Sequence, residues 1–350
     1  MVRAGGCALF VTAVFPHGTF AAPAAPAAPA VPAPAPPPAS GAVEIRAGTK
    51  VVFTTAALGA RMLSARDVFI QALSPFDRSS RLKTDKDVTE AQFLTFVAAQ
   101  AREWTGDEKA KLTAILRAFR TKSEGLALHF PSTVFFIKTT GLEEGRAAYC
   151  RGSAIVIPEN LIVSEPAQLE HLVYHELFHI YRTHWRENRR GLYAIIGFDE
   201  CPEIDFPAEL RSRKITNPDA PALSSYIRVD RGTKVFPMTP VLFARTERYD
   251  TAKGGEFFES LVFKLLVLDE VDGRLSPSRT PDGKAVLVDV ADVPDYTRQV
   301  GKNTQYIIHP EEILADNFAL LLEGAEARSP EILQKMRAFL TKGAGASSSR

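Results

Sequence analysis

Cysteine is scarce in this chain. Of 350 residues only three are cysteine, at positions 7, 150 and 201, so no disulfide framework organises the fold. If the chain is exported, Cys150 and Cys201 can make one disulfide at most. Charge imbalance is missing too. Forty-two Lys and Arg stand against 41 Asp and Glu, a net charge of +1. That balance provides neither the basic field that nucleic acid attracts nor an acidic face for a polycation. No later run approaches the ~18 apolar residues of a membrane span. No internal repeat appears. What remains is a composition 45% hydrophobic and 24% charged, ordinary for a globular chain and long enough for one large domain or two.

The N-terminus reads as processing signal. Arg3 is a short positive region, residues 7–14 form a small apolar core, and Thr19-Phe20-Ala21 offers a cut after Ala21. Pro16 and His17 interrupt the apolar run. Residues 1–21 are therefore expected to be a signal peptide, and the protein exported, periplasmic or secreted. Residues 22–42 are an Ala/Pro-rich linker with no apolar bulk to bury, which favours extended polyproline conformers.

A folded α+β unit is expected over 43–345. Residues 43–57 alternate like one or two short strands. Helical spacing covers 87–104 and 107–119, with Gly106 between them. Thr133-Val134-Phe135-Phe136-Ile137 and the segment 147–158 read as strands. Ser164 and Pro166 open a helix that runs to about Arg190, where Gly191 stops it. Residues 193–221 look like loop. The region 226–300 is strand-rich, and helices return at Pro310 and Pro330.

The chemistry lies in His175-Glu176-Leu177-Phe178-His179. Two histidines four apart on a helix leave the same face, close enough to share a metal. Glu176 points beside that metal, positioned to take a proton from an attacking water. Chance places such a pattern in roughly one chain in a hundred of this length. The flanking Leu169, Leu172, Val173, Ile180, Tyr181 and Trp185 make the helix apolar and buried. Two histidines and a glutamate buried there need partners, either a metal or hydrogen bonds in the core.

A catalytic zinc takes three protein ligands and keeps one position open. Position 185 is Trp, and His184 is rotated about 100° from the motif face, so neither completes the set. Glu312 is the better candidate. It lies in His309-Pro310-Glu311-Glu312-Ile313-Leu314-Ala315-Asp316, a helix start in which Pro310 suits the first turn. Asp316, four residues on, would bond the second nitrogen of a ligand histidine. Asp199, Glu200, Glu203, Asp205 and Asp219 are rival carboxylates nearer in sequence.

These two motifs together resemble those of the gluzincins, the thermolysin-like zinc metallopeptidases. The resemblance implies a zincin-like α+β fold, with a small sheet packed on the zinc-binding helix and the 226–300 region inserted before a C-terminal helical part. It implies Zn2+ held by His175, His179 and Glu312, Glu176 as general base, Asp316 orienting a ligand histidine, and a peptide or protein substrate. It covers only the two motifs, and 132 residues lie between His179 and Glu312, far more than in thermolysin. In zincins an edge strand holds the substrate by main-chain hydrogen bonds, and by analogy residues 154–157 either line that cleft or form a core strand, since both predict the same apolar run. Tyr306, His309 and Tyr249 are candidate transition-state donors. Thr216-Asn217-Pro218-Asp219 reads as a turn with helper hydrogen bonds, or as one that shapes the pocket. The competing reading is a zinc-containing binding protein derived from a peptidase fold.

Overall fold

A computed structural model describes residues 42–346 of the chain. The expected signal peptide and all of the linker but Ala42 lie outside the described residues. In chain order the elements are β1 (Ala42–Arg46), β2 (Thr49–Phe53), α1 (Ala56–Leu63), α2 (Val68–Ala72), α3 (Pro75–Arg81), α4 (Glu90–Ala98), β3 (Ala101–Arg102), α5 (Gly106–Lys122), β4 (Thr133–Thr139), β5 (Tyr149–Arg151), β6 (Ala154–Pro158), α6 (Glu159–Ile162), α7 (Pro166–His184) and α8 (Arg189–Ala194). They continue with β7 (Phe198–Glu200), β8 (Ser225–Arg231), β9 (Lys234–Ala244), β10 (Leu261–Val271), β11 (Arg274–Pro277), β12 (Leu287–Val288), α9 (Pro294–Val300), α10 (Pro310–Glu323) and α11 (Pro330–Ala346). The chain is mixed α+β with two sheets, as expected.

The first sheet runs β1-β2-β4-β6-β5, with β3 alongside β4. β2, β4 and β6 are parallel, and β5 turns back antiparallel to β6. Every residue of β6 is buried because both sheet faces are covered. Ile155 and Ile157 join the core that holds α5 and α7, while Ala154 and Val156 join the cluster under α1 and α4. A strand covered on both faces reads as a continuous apolar run. The expectation that 154–157 lines a cleft is corrected here. β6 is paired on both sides, and β5 is the outermost strand.

The second sheet runs β11-β10-β9-β8-β7, with β12 on β10. Ile227, Val229, Met238, Leu265 and Val267 of this sheet enter the same core as α7. β7 and α9 are elements the sequence reading did not foresee. The helix read over 87–104 is shorter, beginning after a Thr89–Gln92 capping box and ending at Ala98.

α7 is the central helix, and residues 173–181 are all buried. Its N-cap is Glu165 rather than Ser164, with Pro166 in the first turn. It stops at Trp185, short of the expected Arg190. Trp185 leaves helical geometry with φ −121° and ψ 69°. Its ring packs edge-on against His129 at 3.8 Å and Tyr181 at 5.8 Å between centroids. A 3-10 turn and α8 then carry the basic residues.

Candidate metal centre

α10 lies across α7 and brings the second motif to the first. Its N-cap is His309, whose Nδ1 accepts the Glu311 N–H at 3.1 Å, and Gly324 in left-handed geometry ends it. Glu311 and Glu312 are adjacent and both buried, yet they face different partners. Glu311 accepts from Arg182 Nε at 2.6 Å and from the Tyr193 hydroxyl. Glu312 turns to the histidines.

Three atoms converge there. His175 Nε2 and His179 Nε2 are 3.0 Å apart. Glu312 Oε2 lies 3.2 Å from the first and 3.6 Å from the second. Asp316 Oδ1 sits 2.7 Å from His175 Nδ1, and the Thr304 hydroxyl donates to its other oxygen. A carboxylate at Nδ1 keeps the proton on that nitrogen and turns the Nε2 lone pair toward the cluster. His179 Nδ1 has no hydrogen-bond partner among the described residues.

The electrostatics call for a cation. Burial opposes charge on both rings, but Asp316 and Glu312 raise His175 well above its ordinary range. Asp219 and Glu312 push His179 up to about 9. Burial also disfavours the Glu312 carboxylate, and the two histidines outweigh it, holding that carboxyl well below its usual range. Asp316 is likewise held low by His171 and His175. Protons on the rings, or a metal in their place, satisfy this group.

Glu176 is 3% exposed, and burial holds its carboxyl above the usual range against the pull of the two histidines. The Cys150 thiol donates to its Oε2 at 3.2 Å. Cys150 is therefore a free thiol beside Glu176, and Cys201 is free elsewhere, so the possible disulfide is absent. A cavity of about 390 Å³ opens at Glu176, lined by His175, Glu312, Asp316 and Tyr306 and by apolar side chains such as Leu172 and Phe257. That size is within the range of ligand pockets.

Of the candidate donors, only Tyr306 lines this cavity. Burial and the carboxylates of Glu312, Asp219, Asp316 and Glu176 keep its hydroxyl protonated. His309 instead caps α10, and burial pulls it down to about 4. Tyr249 donates to the Gly255 carbonyl at 2.8 Å and lines neither this cavity nor the centre. His184 bonds the Ile180 carbonyl. Among the rival carboxylates, Asp199 and Glu200 pair with Arg190 and Arg189. Asp219 does reach the site. It lies with Cys150 and Glu176 in a cluster whose ligand atoms fall within 4.8 Å of one another. Burial, Glu176 and Glu312 push its carboxyl up to about 8, with His179 opposing.

Three participants, Thr304, Cys150 and His171, were missed, and Asn217 was expected only as part of a turn. Asn217 donates to Glu312 Oε1 at 2.6 Å, and Thr304 holds Asp316. The Cys150 thiol donates to Glu176. His171 lies one turn before His175, with Glu323 Oε1 2.9 Å from its Nδ1. His171 did carry a signal, since it continues the i, i+4 row of His175 and His179. Comparisons of the chain with protein-family models, curated proteins and solved structures give no match.

Proposed function

We propose that this chain is an exported zinc metallopeptidase of zincin-like architecture. His175, His179 and Glu312 would hold the metal. The observation that carries this reading is the spacing of their three facing atoms, 3.0, 3.2 and 3.6 Å. Zinc bonds of about 2.0–2.1 Å at tetrahedral angles set neighbouring donor atoms about 3.3–3.4 Å apart. Two imidazoles and a carboxylate are a donor set that zinc accepts. When bound, zinc supplies Lewis-acid polarisation of the scissile carbonyl and of the attacking water.

The chain's own residues do the rest. Asp316 fixes the His175 ring through Nδ1. Glu176 takes the proton of the attacking water on its carboxylate and returns it to the leaving amine nitrogen. Its raised pKa suits both transfers. Tyr306, held protonated in the cavity, donates to the developing oxyanion.

The test is Glu176→Gln. Hydrolysis of casein and short peptides should be abolished while zinc measured by elemental analysis stays at one equivalent. Wild-type activity in this variant, or wild-type protein without zinc, would sink the mechanism.

A further inference from the structure

The turn at Thr216-Asn217-Pro218-Asp219 reaches the centre from outside both motifs. Its geometry follows from local chemistry. Asn217 Oδ1 accepts the Asp219 N–H at 3.0 Å, an Asx turn of the kind an asparagine before proline favours. That bond settles which end of the amide is which. With Oδ1 committed to an N–H, Nδ2 is the group left to face Glu312, and it donates to Oε1 at 2.6 Å.

The carboxylate of Glu312 is thus held on both sides. Oε1 is engaged by Asn217, and Oε2 faces His175 and His179. An amide is the right chemistry at this point. A neutral N–H donor binds the Glu312 carboxylate, where a further carboxylate would repel it.

The turn is itself anchored at both ends. The Thr216 N–H and hydroxyl donate to Asp77 at 3.0 and 2.7 Å, and its carbonyl accepts from Arg81 at 3.3 Å. Arg81 is buried and paired with Asp77 at 2.7 Å. Beyond Asn217, the Asp219 carbonyl accepts from Arg182 at 3.2 Å, and its carboxylate accepts the Cys150 N–H at 2.9 Å. A side chain carried between two fixed points is delivered with little freedom.

We propose that Asn217 is a positioning residue of the metal centre, whose amide orients the Glu312 carboxylate so that one oxygen is presented beside the two imidazoles. This rests on the reading that His175, His179 and Glu312 bind a metal. The experiment measures zinc affinity of the full chain by competition with a chromophoric chelator, for wild type, Asn217→Ala and Asn217→Asp. Loss of such an outer partner weakens metal affinity by about 10–100-fold. Asn217→Ala should fall in that range, and Asn217→Asp should fall at least as far. The aspartate keeps an acceptor for the Asp219 N–H, so the turn survives while the donor to Glu312 is lost. Melting of the chelator-treated proteins monitors the fold independently. In cobalt-loaded protein the visible bands of Asn217→Asp should differ from wild type, since they report the coordination sphere. Wild-type zinc affinity and cobalt spectrum in a folded Asn217→Asp would overturn the proposal and leave Asn217 as a turn residue. Absence of zinc binding in wild type would instead overturn the metal reading on which it rests.

Discussion

Asp316 is the residue through which α10 grips the His175 ring, and replacing it tests the centre without touching a ligand. Its Oδ1 lies 2.7 Å from His175 Nδ1, and its other oxygen accepts from Thr304. A hydrogen bond to a charged group contributes about 1.5–3 kcal/mol. Alanine removes that bond and leaves the His175 N–H buried without an acceptor. The ring is then free to present the wrong nitrogen to the cluster. At about 1.4 kcal/mol per tenfold, the lost bond corresponds to a fall in zinc affinity of roughly 10–100-fold. Asparagine keeps an acceptor oxygen and can donate to the Thr304 oxygen. It sacrifices only the charge, which supplies about half of the bond's strength. Asp316→Asn should therefore weaken zinc about tenfold, and Asp316→Ala by up to about 100-fold. Chelator competition on folded protein reads both. Affinities within twofold of wild type in the two variants would refute the claim that Asp316 orients His175.

Two further predictions follow from neighbouring residues. Burial disfavours the charged ring of His171, but Asp316 and Glu323 outweigh it and push its pKa up to about 9 from 6.5. The folded state therefore holds that proton more tightly, so the stabilisation is complete below pH 6.5 and is lost as pH rises through 9. The ring is 34% exposed, and solvent screening leaves roughly 1 kcal/mol of the effect. In chelator-treated protein, the melting temperature of wild type should fall relative to His171→Gln across this window. Parallel profiles would count against the pairing. The adjacent glutamates should separate cleanly. Glu311→Ala strands Arg182 in a buried site and should cost about 3–5 kcal/mol in urea unfolding while the folded protein keeps zinc. Glu312→Ala should lose zinc, and retained zinc there would remove it from the ligand set.

What could be read in advance was what local periodicity encodes. His175 and His179 stand four apart on an apolar helix, and that spacing alone fixes the face they share, with Glu176 beside it. Glu312 and Asp316 were readable for the same reason, on a helix whose proline start and glycine stop are both present. Asn217 and Asp219 carry no such mark. Their positions depend on where Asp77, Arg81 and Arg182 clamp a loop, which no short window of sequence contains. The edge of the first sheet is not legible because β5 and β6 are the two arms of one short hairpin inside the stretch 147–158. Which of the two is paired on both sides is a matter of topology. At Trp185, where α7 ends, the ring packs on His129, more than fifty positions away in sequence and outside any local window. His309 looked catalytic from its nearness to Glu312, but the capping bond turns the ring to the backbone.

The partners at the centre are 137 positions apart in the chain, and this has a consequence for how the protein matures. A nascent chain exposes both imidazoles and Glu176 long before residue 312 is synthesised. Long-range contacts of this kind close late, after the intervening chain has ordered. No fragment that stops short of α10 holds the three-atom cluster, because Glu312 comes from that helix. The order of synthesis thereby acts as a clock on the centre, which is assembled only when α10, in the last eighth of the polypeptide, has docked.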